Sequence, residues 1–165
     1  MSSPSLSGID VNSIQTIGLA QVEKNIHTLL ARLRFISQVR PGELIDVNNH
    51  KFVQLGWITS ITRTIKYYIG KEESREITLI FIQETMNEAI NVIEKLFMSS
   101  NLQDRNIGIS TLQELKNAKS SFATLEETYQ DDRHFISRLQ TFNIILDAKI
   151  STIETMIVQR FSIKE

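Results

Sequence analysis

The sequence predicts an all-α protein: a four- to five-helix bundle with a flexible N-terminal arm and a long heptad-patterned C-terminal helix, either continuous or kinked near 130–132. Three observations predict it. From Ser110 to Arg160 apolar residues recur at every seventh position, with no Gly or Pro in the span. Ahead of that stretch, further segments carry apolar residues at three- and four-residue spacing. Only 6 glycines and 2 prolines interrupt 165 residues, and a single short stretch has the composition of strands.

The chain opens on Met-Ser-Ser-Pro-Ser-Leu-Ser-Gly, which reads as a flexible arm; Ile9, Val11, Ile14 and Ile17 either extend the next helix or pack separately before Gly18, and the division is drawn as arm 1–18 and helical domain 19–165. From Leu19 to Gln38, residues Val22, Ile26, Leu29, Leu30, Leu33 and Ile36 recur at three and four, giving an amphipathic helix. Arg40-Pro41-Gly42 stops it, because proline cannot continue a helix and glycine permits the turn. Leu44, Ile45, Val47, Phe52 and Val53 surround Asn48-Asn49, which reads as an ordered loop or a short hairpin without a larger sheet. Trp57, Ile61, Ile65 and Tyr68 mark a helix over 55–69, closed by Gly70. The next helix spans Glu72 to Met98, with acids in its first turn and Lys95 in its last, as the helix dipole favours. Ser99 to Ile109, containing Gly108, reads as a polar connector.

In the C-terminal stretch one register is Leu115, Phe122, Tyr129, Ile136, Asn143, Ile150 and Ile157. Its companion is Ala118, Leu125, Asp132, Leu139, Leu146, Ile153 and Arg160. Ser110 and Gln113 have the spacing of a capping box. An unbroken helix of about fifty residues would reach roughly 75 Å. Gln130-Asp131-Asp132 is the weak point, since either aspartate could cap a new helix; one continuous or kinked helix and two helices joined by a tight turn both fit. Asp132 and Asn143 read equally well as register-setting polar residues in the seam or as a cap and a wet edge. Beyond Asp131 the apolar stripe widens to take in Phe135, Phe142, Ile144, Ile145, Met156 and Val158, which suits burial among several helices. The segment 110–134 has a narrower stripe and is free to project.

Composition bounds the function. A chain with 41% hydrophobic and 22% charged residues folds. Without cysteine it has no disulfide framework or cysteine-based zinc site, and its N-terminus lacks the basic-then-apolar pattern of a signal peptide, which together favour an intracellular, cytoplasmic setting. The longest apolar runs, such as Leu79–Ile82, are far too short for membrane insertion. His27, His50 and His134 are isolated from one another, and there is no glycine-rich phosphate loop or Gly-x-Ser-x-Gly elbow. The expectation is a non-enzymatic protein with no cofactor, no metal and no small-molecule substrate.

Net charge is −1 but unevenly spread: Arg32–Arg75 holds eight basic residues against four acidic, and Glu76–Glu165 nine against thirteen. That asymmetry suits contacts with other proteins, either copies of the chain or subunits of a larger assembly. Candidate partner-binding residues are Arg63, Lys66 and Arg75 around the turn at Gly70, and Leu115, Phe122 and Tyr129 on the seam. An alternative is a small regulatory or adaptor protein that binds nucleic acid through the basic 63–75 region. Glu72, Glu73 and Glu76 weigh against it by repelling phosphate, and the helix that follows opens Ile-Thr-Leu-Ile-Phe-Ile, too apolar for a groove.

Arg40-Pro41-Gly42-Glu43, Glu73-Ser74-Arg75-Glu76 and the run Glu127-Thr128-Tyr129-Gln130-Asp131-Asp132-Arg133-His134-Phe135 together resemble small helical virion or minor-capsid structural proteins of large nucleocytoplasmic DNA viruses. The likeness spans about half the chain. It implies a role in a virion, where small helical subunits bridge or tie down larger shell proteins, and it carries over no catalytic residue.

Overall fold

The computed structural model describes residues 26–54 and 72–162. The arm 1–18, the helix expected over 55–69 and its Gly70 cap lie outside those residues. Among the described residues the chain is mostly helical, in the order α1 (26–37), β1 (Glu43–Asp46), β2 (Lys51–Gln54), α2 (Glu72–Met98), α3 (Leu102–Ser120), α4 (Phe122–Thr128) and α5 (Arg133–Ser162).

Helix α1 ends as its sequence dictates. Glu43 N–H donates to the Arg40 carbonyl at 3.0 Å, and Gly42 sits at φ 83°, the left-handed value that a Pro-Gly turn of this kind demands at its third residue. The chain then forms an antiparallel hairpin in which Leu44 pairs with Val53 and Ile45 with Phe52. Its turn is held by Asp46, whose carboxylate accepts from the Asn49 backbone at 3.3 Å and side chain at 2.7 Å. Leu44 and Ile45 are consecutive, so they point to opposite faces of the strand, yet both are buried. The hairpin is therefore covered on both sides. Phe52 stacks on Phe35 of α1 with ring centroids 4.6 Å apart.

Helices α2 and α3 form an antiparallel pair around Ser99–Asn101. Asn101 caps α3 by accepting from Gln103 N–H at 2.8 Å, and Ser99 Oγ donates to Asp104 at 2.7 Å. The expected connector over 99–109 is thus mostly helix, and Ser110 lies inside α3 rather than capping it. Gly108 is no loop residue either. A Cβ there would lie 3.2 Å from the Phe97 ring and 3.3 Å from Leu96 Cβ, so glycine lets α3 approach α2 closely.

The stretch 110–160 is neither continuous nor projecting. Ser121 turns its hydroxyl back to the Ala118 carbonyl at 2.6 Å and separates α3 from α4. Tyr129–Asp132 separates α4 from α5, and Asp132 accepts from Phe135 N–H at 3.0 Å. At Gln130–Asp132 a turn between separate helices is what is observed, with Asp132 as a cap, and the further break at Ser121, which the sequence did not suggest, makes the stretch three helices. Lys116–Glu154 and Lys119–Asp147, each 2.6 Å, fasten α3 antiparallel to α5.

Helices α2 and α5 run parallel and in step. Glu76 meets Arg138, Asn87 meets Lys149 at 3.4 Å, and the Met98 carbonyl meets Arg160 at 3.2 Å, each pair 62 residues apart. Successive rungs are eleven residues apart on both helices, three turns of a nearly straight helix. The buried residues keep that period: Leu79, Ile82, Met86, Ile90, Ile93 and Phe97 on α2, and Phe135, Leu139, Phe142, Leu146, Ile150 and Ile153 on α5. The seven-residue spacing is also buried at Leu139, Leu146 and Ile153, whereas in the other register Ile150 is buried and Ile136, Asn143 and Ile157 are half-exposed.

Candidate functional site

Two features are candidates for function: the joint at Tyr129 and the outer face of α5. The joint forms because the chain must reverse between α4 and α5 while keeping its backbone satisfied. Tyr129 is buried at 1% exposure and stacks on Phe135, centroids 4.0 Å apart. Its hydroxyl accepts from Ile45 N–H at 3.2 Å, which ties the hairpin to the joint, and Thr128 Oγ1 accepts from Gly42 N–H at 3.0 Å. From the start of α2, Arg75 reaches Asp132 at 3.0 Å and Asp131 at 3.4 Å.

The electrostatics are those of a clamp. Burial pushes the Tyr129 hydroxyl up to about 12, against the hydrogen bond from Ile45 and the nearby Arg75, both of which favour the ionised form. It stays neutral at physiological pH. For Asp132, partial burial works to raise the carboxyl, but the N–H of Phe135 and the Arg75 guanidinium outweigh it and hold it below the usual carboxylate range. A phenol and a carboxylate held in these states maintain structure and offer no proton near neutrality.

The sequence-predicted residues distribute as follows. Arg63 and Lys66 lie outside the described residues. Arg75 is turned inward, its side chain only 11% exposed and engaged by two aspartates, so it is not presented to a phosphate backbone. Leu115, Phe122 and Tyr129 are buried at 0%, 3% and 1% in the chain's own core. This corrects the expectation that they face a partner: α3 folds back on α2 and α5, and the seam is consumed internally. Among the described residues no three His, Cys, Asp or Glu side chains gather as a metal site would need, and no helix is long and apolar enough to cross a membrane. An open groove of about 410 Å³ between α1 and α3 is lined by Ile26, Leu30, Ile107, His27 and uncharged polar side chains of α3.

The outer face of α5 corrects the expectation that Ile144, Ile145 and Val158 are buried among several helices: all three are exposed, on the side of α5 away from α2 and α3. Ser137, Thr141, Ile144, Ala148, Ser151, Thr155 and Val158 are all exposed, Ile144 at 71% and Val158 at 62%. Between Ser137 and Gln159 every charged side chain of α5 lies to one side or the other of this face and reaches a neighbouring helix: Arg138 to Glu76, Asp147 to Lys119, Lys149 to Asn87, Glu154 to Lys116. The centre of a solvent-facing helix surface ordinarily carries the charges. Here it carries none over about 32 Å of helix. Depletion of charge at the centre, with charges at the margins, is the composition of an interface core.

Compared with protein-family models, with curated proteins and with solved structures, the chain matches none of them.

Proposed function

We propose that this is a non-enzymatic structural or assembly protein that acts through protein–protein contacts, as a minor component of a viral capsid or virion. One observation carries the reading: the charge-free outer face of α5, with its exposed Ile144, Ile145 and Val158. Such a face loses little on desolvation, and apolar side chains there gain by being covered. The pinned flanking charges support it further, because they hold the face rigid and cost no added ordering on contact. On this reading the joint at Tyr129 and the parallel α2–α5 pair are the frame that keeps α5 straight. The basic 63–75 alternative gains nothing from Arg75, whose charge is already matched by Asp131 and Asp132.

The test compares the full chain with its Ile144→Lys variant, by light scattering of purified protein and by co-purification from the native source. A position 71% exposed tolerates lysine without loss of fold, so melting is expected to be unchanged while protein association drops. Identical association by both proteins would overturn the reading. Duplex binding that falls steeply between low and moderate salt would replace it with the nucleic-acid adaptor.

A further inference from the structure

The exposed α5 residues have an order that the docking proposal alone does not explain. Read from the N-terminal end they are Ser137, Thr141, Ile144, Ala148, Ser151, Thr155 and Val158, at alternating steps of four and three. Read from the other end, the sizes interlock. Ser137 falls opposite Val158, Thr141 opposite Thr155, Ile144 opposite Ser151, and Ala148 opposite itself. On these seven positions Ile144 and Val158 each meet a serine and the alanine sits at the centre, with the exposed Ile145 flanking the row. An antiparallel pair of helices needs this pattern to bring its axes to about 8 Å, because each knob needs a hole across from it.

We propose that the occupant of this face is a second copy of the same chain, with α5 packed antiparallel on its partner about a two-fold axis through Ala148. This rests on the protein-docking reading above and names its partner. A two-fold contact uses one patch twice, so the patch must be complementary to itself, and the size palindrome meets that requirement. A parallel in-register pair does not, since it sets Ile144 against Ile144 and Ser151 against Ser151.

Charge at the margins agrees. Near the axis, Asp147 approaches its own copy, which alone would repel. Each Asp147 is already held by Lys119 at 2.6 Å, so the two pairs meet as an alternating four-membered set with no net charge. Further out, Glu154 lies across from the neutral Gln140 of the other copy and keeps its own Lys116. Area sets the strength. A contact about 32 Å long and one helix face wide buries roughly 700 Å² in all, well below the ~1,600 Å² of a standard interface. The pair is therefore weak and reversible in dilute solution, and strengthens where many copies are held together.

The chain has no cysteine, so single engineered cysteines report the pairing directly. Ala148→Cys is expected to form a disulfide-linked dimer on its own under mild oxidation. Ser137→Cys alone is expected not to, whereas a mixture of Ser137→Cys and Val158→Cys chains is expected to cross-link. Sedimentation of the cysteine-free chain should show mass rising with concentration, and Ala148→Glu should weaken that association ~10-fold or more. Self-linking by both Ala148→Cys and Ser137→Cys would mean a parallel pair and would overturn the proposal. A monomer at every concentration with no cross-link would also overturn it; Ile144-dependent association with other proteins would then still stand by itself, so the two failures are distinguishable.

Discussion

The guanidinium of Arg75 lies over the ring of Tyr129, its central carbon 5.3 Å from the ring centroid, while the same group reaches Asp132 at 3.0 Å. One side chain from the start of α2 thus holds both the last buried residue before the α4–α5 turn and the cap of α5. The hairpin enters the same joint through Ile45. Two segments distant in sequence, the start of α2 and the hairpin, thus converge on Tyr129 at the turn between α4 and α5.

Tyr129→Phe keeps the ring and removes the acceptor of the buried Ile45 N–H, so it is expected to cost about 1–3 kcal/mol at neutral pH. The alkaline limb of stability should change as well. A folded-state value raised to about 12 means the wild type is fully stabilised by this group below pH ~10 and loses that contribution as pH rises towards 12. The phenylalanine variant lacks that loss. Denaturant melts at pH 7, 10 and 11.5 check both statements; parallel pH profiles would show that the phenol ionises freely.

Asp132→Ala removes the cap of α5 and the nearer partner of a largely buried guanidinium. The cap alone is worth about 1 kcal/mol, and leaving Arg75 with Asp131 only adds to it, so a loss of roughly 2–4 kcal/mol is expected in equilibrium unfolding. Because the folded Asp132 carboxyl lies below its ordinary value, its contribution is present above that ordinary value and fades as pH falls through the folded one. The wild type should therefore lose more stability than the variant on acidification from pH 5 to 2.

Leu139→Asp and Ile144→Asp separate the inner from the outer face of α5. Leu139 is 1% exposed and Ile144 is 71% exposed, five residues further along the same helix. An unpaired carboxylate at 139 is expected to abolish cooperative folding, whereas the same change at 144 should shift the midpoint by no more than about 0.5 kcal/mol. Circular dichroism melts decide it. Equal sensitivity at the two positions would put Ile144 inside.

The contrast shows how far the sequence could be read. Helices α1, α2 and α5 and the Asn48-Asn49 hairpin were legible because each carries a local signal: three-four spacing, or alternating apolar residues around a turn. The helical start at Leu102 was not, because Gly108 looks like a loop residue until Phe97 is seen packed against it. Reading in sevens found buried positions such as Leu139, Leu146 and Ile153 but not the parallel pairing of α2 with α5, whose rungs Glu76–Arg138, Asn87–Lys149 and Met98–Arg160 fall eleven residues apart. Partner-facing roles for Leu115, Phe122 and Tyr129 were assigned to an apolar seam that the chain buries itself. The α5 outer face goes the opposite way: Ile144, Ile145 and Val158 read as part of a buried stripe, yet all three are exposed, because α2, α3 and α4 cover only the other side of the helix.

Gly108→Val tests the close approach of α3 to α2. The first added carbon already meets the Phe97 ring at 3.2 Å and Leu96 Cβ at 3.3 Å, and a branched side chain has no room beyond it. The ~1 kcal/mol or less that valine gains over glycine in helix propensity is expected to be outweighed by an overpacking cost of about 1–3 kcal/mol. A variant more stable than the parent would show that the two helices can part at no cost.

Asn143→Leu should move stability the other way. The side chain is half-buried on α5, and its amide oxygen is covered with no hydrogen-bond partner. A buried acceptor without a donor carries its full desolvation penalty, and an apolar side chain of similar size removes that penalty while adding contacts to Leu139 and Leu146 on either side. The expected gain is about 1 kcal/mol, read as a higher denaturant midpoint at unchanged slope. A loss of similar size would instead mean that the oxygen is satisfied by water, and that Asn143 contributes to the α5 frame as a polar anchor rather than as a local defect.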